Sequence, residues 1–200
     1  LLLLNLYSMN LFQKECLKLA KRSILEKFWK DSLKDFIPSD KKFLEQRACF
    51  ITLRKTWNLR WCIWSILAHQ ELYKDIISNA KSAAFNDPRF SPLTFEEIEK
   101  WDMFLDITVL SPLEKINFNS IEELLKYLWK NRSWLVIKLW LRQATFLPSV
   151  WKELNNPEDF LIHLVYKAGI NPEDFRDNFN KVEISVYDGE EFWEELKIEN

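Results

Sequence analysis

The sequence predicts an α+β fold in which an antiparallel sheet is flanked by helices. Short runs of alternating or β-branched residues are separated by tight turns, and other segments carry the apolar spacing of helices. Strands that follow one another this closely favour antiparallel pairing, because parallel neighbours need a long crossover connection. With 200 residues, 48% of them hydrophobic, the chain can bury one sizeable core. We expect a single domain over residues 9–200, preceded by an upstream or disordered segment at residues 1–8.

Helices are predicted where apolar periodicity coincides with start and stop signals. Thr94 and Ser120 each precede a Glu by three residues, which is the pattern of a capping box. Gly169 suits the position just after a helix end. The predicted helices are Leu11–Leu33, Glu71–Phe85, Thr94–Trp101, Ser120–Lys130 and Asn156–Ala168, with a short turn of helix from Asn171.

Strands are predicted from β-branched, aromatic and alternating residues between these helices. The predicted strands are Arg47–Leu53 paired with Leu59–Ile66, then Phe104–Leu110, then Leu135–Leu139 paired with Gln143–Phe146, and finally Lys181–Tyr187. The acidic stretch after Tyr187 is expected to be peripheral.

The first hairpin carries the best chemical candidate of the chain. Arg60 and Cys62 are two residues apart, so an unbroken strand would place them on one face. A guanidinium beside a thiol favours the thiolate, which would make Cys62 a catalytic nucleophile and Arg60 an anion clamp. The alternatives are that Cys62 is a small buried hydrophobe and that Arg60 forms a surface ion pair.

Five blocks of the sequence together resemble the AMMECR domain family. With Gly in place of Trp61 and Trp64, the hairpin reads LRGCIG, which is the signature of that family. The other blocks are AKSAAFNDPRF at residues 80–90, ITVLSP at 107–112, QATFLPSVWKEL at 143–154 and FLIHLVYKAG at 160–169. The resemblance implies a smaller lobe adjoining the larger sheet, with the signature residues at a cleft between them.

The resemblance also indicates ligand-binding residues. Arg89 would converge on the same cleft or tie its loop to the core. Asp106 would partner Arg60 or Arg89, or form a purely structural salt bridge. Thr145 would provide polar lining or be an ordinary strand residue.

Tryptophan stands where the family pattern has glycine. The chain has 2 Gly and 10 Trp, whereas average usage would give roughly 14 Gly in a chain this long. One hypothesis is that UGA codons, read here as Trp, encode Gly in the source organism. The alternative is a divergent, Trp-rich relative. The positions concerned are Trp57, Trp61, Trp64, Trp134 and Trp140.

Composition excludes several classes of function. A net charge of −2 gives no electrostatic footprint for nucleic acid, and no stretch is apolar for long enough to span a membrane. Three widely spaced cysteines indicate neither a disulfide framework nor a metal site, and we expect a cytoplasmic protein without a cofactor. Neither His69 nor His163 is placed to act as a base for Cys62.

Two functions remain open from the sequence. The first is a cysteine-dependent enzyme or enzyme component, working with the Memo-like and radical-SAM partners that the AmmeMemoRadiSam systems of the family imply. The second is a non-catalytic domain that binds a ligand or a partner protein.

Overall fold

The computed structural model of the protein describes residues 9–29, 33, 36–64, 68–146, 150–151 and 153–197. The chain divides into two compact units, the first formed by Leu1–Ser111 with Gly189–Asn200 and the second by Pro112–Asp188. The segment expected to be upstream, residues 1–8, lies outside the described residues, and a single domain over residues 9–200 stays a prediction. Each unit contains a four-stranded antiparallel sheet, so the α+β class is confirmed.

The described residues form six α-helices and eight strands. In chain order the elements are α1 (Leu11–Trp29), a 3-10 helix (Lys41–Leu44), β1 (Cys49–Lys55), β2 (Asn58–Trp64), α2 (Leu72–Asn86), α3 (Phe95–Lys100), β3 (Met103–Leu110), β4 (Glu114–Lys115), α4 (Ile121–Asn131), β5 (Trp134–Leu139), β6 (Arg142–Phe146), α5 (Pro157–Lys167), α6 (Pro172–Asp177), a second 3-10 helix (Phe179–Lys181), β7 (Glu183–Tyr187) and β8 (Gly189–Glu195). No helix in this part of the chain has the length and apolar character needed to cross a membrane.

The first unit is built on the sheet β2-β1-β3-β8. One face of this sheet packs against α1 and α2, and alternate residues such as Leu53, Trp61 and Leu105 are fully buried there. Burying a side chain of this size stabilises the fold by about 1.5–3 kcal/mol relative to leaving it in water. The core therefore fixes which residues of β1, β2 and β3 are turned to the opposite face.

The turn between β1 and β2 holds both of its central residues in the left-handed region. Thr56 has φ 51° and Trp57 has φ 67°. Two positive φ angles in a two-residue hairpin turn match the twist of the paired strands, which is why Asn-Gly sequences are common there. The predicted hairpin is confirmed, and its second turn residue is a position that favours glycine.

The second unit is built on the sheet β4-β7-β5-β6, with α4, α5 and α6 completing its core. Trp151 stacks on Phe160 with ring centroids 3.7 Å apart and forms part of that core. Asn156 caps α5 by accepting from the Glu158 N–H at 2.8 Å, and Gly169 follows the helix with φ 69°, as the sequence predicts.

The expectation that the acidic stretch after Tyr187 is peripheral is wrong. It forms β8, which pairs with residues 104–110 of β3 and buries Phe192 in the first core, where Leu196, just after the strand, is also buried. The acidic residues Glu190 and Glu191 remain exposed while the aromatic residue Phe192 faces inward. Because exposed glutamates dominate this segment, its charge pattern does not indicate that it forms a strand of the core.

Candidate functional site

Cys62 lies in β2, which forms one edge of the first sheet. It is paired with Thr52 of β1, and both residues face away from the core that contains Trp61. The Thr52 hydroxyl donates to the Cys62 Sγ at 3.1 Å, and the thiol is half-buried. The indole of Trp61 lies on the core side of the strand, so it does not fill the face that carries the sulfur.

The free edge of β2 at Cys62 is closed by the loop after α2. The Cys62 N–H donates to Asp87 Oδ2 at 3.1 Å, and the Cys62 carbonyl accepts from Arg89 Nη2 at 3.1 Å. An edge strand carries backbone groups without strand partners, and here a carboxylate and a guanidinium satisfy both groups of one residue. Arg89 therefore contacts Cys62 at its backbone carbonyl.

Asp87 and Arg89 also bind each other. Asp87 accepts from the Arg89 backbone N–H at 3.1 Å, from Nε at 3.0 Å and from Nη2 at 2.8 Å. The Asp87 side chain is only 1% exposed, whereas that of Arg89 is 54% exposed. Hydrogen bonds from Arg89 and from the Cys62 N–H hold the pKa of the Asp87 carboxyl well below its usual range, against the opposing effect of burial. The carboxylate is thus ionised wherever the protein is folded near neutral pH.

Arg60 does not share the environment of Cys62. Trp61 pairs with Leu53 while Leu59 pairs with Arg54, so Arg60 is the extra residue of a β-bulge. The spacing of two residues therefore does not place Arg60 and Cys62 on one face, because that inference requires an unbroken strand.

The guanidinium of Arg60 is bound on the other side of the hairpin. It donates to Ser91 Oγ at 2.9 Å and to Glu97 Oε1 at 3.4 Å, and it lies 3.7 Å from the centre of the Trp61 ring. Glu97 is the acidic member of the predicted capping box at Thr94, which is present at the start of α3. In this arrangement Arg60 fastens the hairpin to α3.

Asp106 lies on the same face of the sheet as Cys62. Thr52 of β1 is paired with Cys62 on one side and with Asp106 of β3 on the other, so the three residues form a row across the strands. The side chain of Asp106 is 7% exposed and binds Arg54. We call this surface, defined by Thr52, Arg54, Cys62 and Asp106, the Cys62 face.

Arg54 is the residue of the Cys62 face that the sequence does not single out. The expected partners of Asp106 were Arg60 and Arg89, whereas the observed partner is Arg54, two residues beyond Thr52 in β1. Burial raises the pKa of Asp106, and the bond from Arg54 opposes that shift. Thr52 and Arg54 are two residues apart in β1, which predicts that they share a face of the sheet. The pairing of Arg54 with Asp106 depends in addition on the register of β1 and β3, which the sequence does not show.

The thiol of Cys62 is not electrostatically activated. Burial raises the pKa of the Cys62 thiol, and the Thr52 hydrogen bond and the positive charges of Arg89 and Arg54 oppose that effect only in part. A cysteine with a raised pKa carries little thiolate at neutral pH, and the thiolate is the nucleophile. Cys16 and Cys49 are fully buried, and burial raises their pKa as well.

Thr145 lies in the second unit, and its hydroxyl is already bonded within that unit. It donates to the Leu135 carbonyl at 2.7 Å and lies 2.8 Å from the Tyr187 hydroxyl, which must then be the donor in that contact. Thr145 is 5% exposed, and burial raises the pKa of Tyr187 to about 12. A ligand would have to displace one of these bonds to reach the Thr145 hydroxyl.

The two histidines are exposed in the structure. His69 Nε2 lies 4.0 Å from Asp75 Oδ1, and His163 is on the exposed side of α5. Within the part of the chain that the structure describes, no group of three or more His, Cys, Asp and Glu side chains is arranged to hold a metal ion.

Comparisons with known proteins place this chain among its relatives. The sequence model of the AMMECR1 family matches residues 17–192. The chain belongs to the AMMECR1 family. It is 34% identical over 153 residues to the protein Mbar_A1807 of Methanosarcina barkeri, a match that covers 76% of this chain and 73% of that protein. It is 32% identical over 173 residues to the protein LS215_2104 of Saccharolobus islandicus, covering 81% and 73%.

The fold of this AMMECR1 family member also resembles a solved structure. The crystal structure of the uncharacterised protein PH0010 from Pyrococcus horikoshii superposes with a TM-score of 0.72 at 25% sequence identity. The likeness covers 90% of this chain and 89% of that one. The family and the fold are therefore established, and these relatives carry no reaction over to the chain.

Proposed function

We propose that this AMMECR1 family member is a ligand-binding domain that holds a small anion, a carboxylate or a phosphate, on the Cys62 face. The observation that carries this proposal is the pair of guanidinium groups near Cys62: Arg54 lies on the Cys62 face, and Arg89 donates to the Cys62 carbonyl. The Cys62 thiol is half-buried, bonded to Thr52 and raised in pKa. Such a thiol is suited to contact a ligand rather than to attack one.

The two arginines retain donors that a ligand can use. Arg54 bonds Asp106 through Nε, and its Nη groups have no hydrogen-bond partner among the described residues. Arg89 uses Nε and Nη2, which leaves Nη1. The side chains of Arg54 and Arg89 are 35% and 54% exposed, so water and solutes reach both. A planar guanidinium matches the oxygens of carboxylates and phosphates, which is why the proposed ligand is an anion.

Anion binding can be tested by titrating the protein with inorganic phosphate and with acetate while following backbone amide shifts by NMR. Arg54→Met should weaken binding by about tenfold or more, because a hydrogen bond to a charged group is lost. Cys62→Ser should leave binding nearly unchanged. Arg142→Met serves as the matched control, since Arg142 is exposed, belongs to the second unit and donates to the Gly169 carbonyl. Equal affinity in Arg54→Met and the unmodified protein would exclude the Cys62 face as the anion site.

The second candidate is a cysteine-dependent enzyme or enzyme component that works with Memo-like and radical-SAM proteins. It is supported by the partial exposure of Cys62 and by two nearby positive charges that favour the thiolate. Alkylation with iodoacetamide at neutral pH, followed by peptide mass spectrometry, separates the two functions. We expect Cys62 to react more slowly than a free thiol, and a faster reaction would favour the enzyme. Neighbouring genes for Memo-like and radical-SAM proteins, and complex formation with the purified products, would support those partners.

The role that the sequence predicts for Arg60 has its own test in the same assay. Arg60→Ala should leave the alkylation rate of Cys62 unchanged, because the Arg60 guanidinium is bound to Ser91 and Glu97. A fall in that rate would restore Arg60 as an activating group for the thiol.

We further propose that the tryptophans at the positions where the family has glycine are glycines encoded by UGA. Trp57 and Trp140 support this, because their φ angles of 67° and 57° lie in the left-handed region that favours glycine. Reading the codons at these two positions and at positions 61, 64 and 134 is the test: UGA supports recoding, and UGG at all five contradicts it. A cytoplasmic location remains part of the proposal and is supported by three free thiols.

A further inference from the structure

Asp106, the buried carboxylate of the Cys62 face, has one oxygen that no protein group satisfies. Its side chain is 7% exposed, and Arg54 Nε donates to its Oδ2. Among the described residues, no donor reaches its other oxygen, Oδ1. Nearly all polar groups in protein interiors have a partner, because an unpaired one loses the hydrogen bonds that it had in water. The partner of Oδ1 therefore comes from solution.

The neighbouring residues of the sheet explain why Oδ1 is left over. Thr52 is paired with Asp106 across β1 and β3, but its hydroxyl donates to Cys62 Sγ at 3.1 Å. An arginine and a carboxylate often form two parallel hydrogen bonds, whereas Arg54 and Asp106 form one. Every side-chain nitrogen or oxygen of the described residues that is closed off from solvent has a partner. Since Oδ1 has none, it is open to solvent and a small polar group can reach it.

Arg54 supplies donors beside this free acceptor. Its Nη groups have no hydrogen-bond partner among the described residues, and its side chain is 35% exposed. The charges of Arg54 and Asp106 offset each other, and Glu191 of β8 brings a further negative charge close to Asp106. An anion therefore gains little here from net charge. It gains more from hydrogen bonds to both members of the pair, and a single negative charge suits the site better than two.

We propose that the ligand of the Cys62 face is a small 2-hydroxycarboxylate. Its carboxylate accepts from the Nη groups of Arg54, and its hydroxyl donates to Asp106 Oδ1. The two groups lie on neighbouring carbons of the ligand, which suits a donor and an acceptor that belong to one ion pair. The ligand is small because the Asp106 side chain is only 7% exposed. This inference rests on the proposed anion site and names the chemical class that the site takes.

The test compares glycolate with methoxyacetate, which has the same carboxylate but carries a methyl group in place of the hydroxyl hydrogen. Both are monoanions at neutral pH, and their binding to the full chain is followed by the backbone amide shifts of the Cys62 face in NMR titrations. We expect glycolate to bind about tenfold more tightly, because methoxyacetate leaves the Asp106 oxygen unpaired. Equal affinities in the unmodified protein would overturn the inference without recourse to any variant.

Asp106→Asn distinguishes the hydrogen bond from the size of the methyl group. Arg54 Nε can donate only to the oxygen of the amide, so the NH₂ group takes the place of Oδ1 and presents donors instead of an acceptor. Asp106→Asn should therefore bind methoxyacetate at least as tightly as glycolate. If this variant still prefers glycolate, the preference has another cause and the inference is overturned. Asp102→Asn, at an exposed position, should keep the preference of the unmodified protein.

Arg54→Met separates this inference from the proposed anion site. If Arg54→Met weakens the binding of both ligands while the unmodified protein binds them equally, the anion site stands and the hydroxyl contact with Asp106 is wrong. If Arg54→Met binds both ligands as the unmodified protein does, the anion site and the inference both fail. Weakened binding in Arg54→Met, together with a glycolate preference that Asp106→Asn abolishes, is the result that supports the inference.

Discussion

Replacing Asp87 with Asn tests how β2 is held at its edge. The carboxylate accepts from the Cys62 N–H and from three groups of Arg89. An amide of the same shape offers one oxygen, so its NH₂ group faces N–H donors that the second oxygen had accepted. The substitution therefore removes the negative charge and leaves some of these N–H donors without an acceptor, around a side chain that is only 1% exposed.

The expected loss is about 2 kcal/mol of unfolding free energy. A hydrogen bond to a charged group contributes about 1.5–3 kcal/mol, and we take the lower part of this range because Arg89 is half exposed to water. For a chain of this size, about 2 kcal/mol corresponds to a decrease in Tm of about 4–8 °C. Urea denaturation and thermal unfolding of Asp87→Asn beside the unmodified protein would measure it.

The pH dependence gives the same prediction a second readout. The pKa of Asp87 is lower in the folded chain than in the unfolded chain. The stabilisation that the Asp87 carboxylate provides is therefore fully present at pH values above its unfolded pKa of about 4, and it is lost as the pH falls through its folded pKa. The stability difference between Asp87→Asn and the unmodified protein should therefore shrink in acid. Asp106, whose folded pKa is raised, titrates in both proteins and cancels in the comparison.

A matched control exists at Asp102, whose side chain is exposed. Asp102→Asn should change the unfolding free energy by less than about 0.5 kcal/mol. If Asp87→Asn changes the unfolding free energy at neutral pH by no more than this control does, the contacts of Asp87 with the Cys62 N–H and Arg89 do not stabilise the fold, and the reasoning is refuted.

Two further substitutions are predicted to have opposite effects on stability. Trp140 has φ 57° and is 54% exposed, so Trp140→Gly should stabilise the protein by about 1 kcal/mol by removing left-handed strain. Trp129→Gly, in the last turn of α4, should instead destabilise it by about 0.5 kcal/mol, because glycine is a poorer helix former, and equal signs in thermal unfolding would contradict this. Thr145→Val removes the acceptor of the buried Tyr187 hydroxyl, so it should lower the unfolding free energy by about 1 kcal/mol in urea denaturation. An unchanged unfolding free energy would mean that the bond between the two hydroxyls does not contribute to stability.

Local signals in the sequence predicted local structure well. The capping box at Thr94, the cap of α5 at Asn156 and the left-handed residue Gly169 each depend on a few neighbouring residues, and each is present in the structure. The β1–β2 hairpin depends on the same kind of information. These features have a short range, so one sequence is sufficient to recognise them.

The arrangement of the candidate site depended on information of longer range. The bulge at Arg60 interrupts the alternation of inward and outward side chains in β2, and no residue type in that strand predicts it. The Arg54–Asp106 pair requires the register of two strands that are distant in sequence. β8 was missed because exposed glutamates outnumber Phe192, although Phe192 contributes to the core.

The register at the end of β3 has a consequence for the evolution and engineering of this chain. Leu110 is the partner of Gly189, so the polypeptide departs from the first sheet and comes back to it at neighbouring points. Everything from Pro112 to Asp188 therefore occupies the place of a hairpin loop. A short Gly-containing turn that joins Ser111 to Gly189 should close β3 and β8 directly, so that the half of the protein that carries Cys62 can be produced and studied by itself.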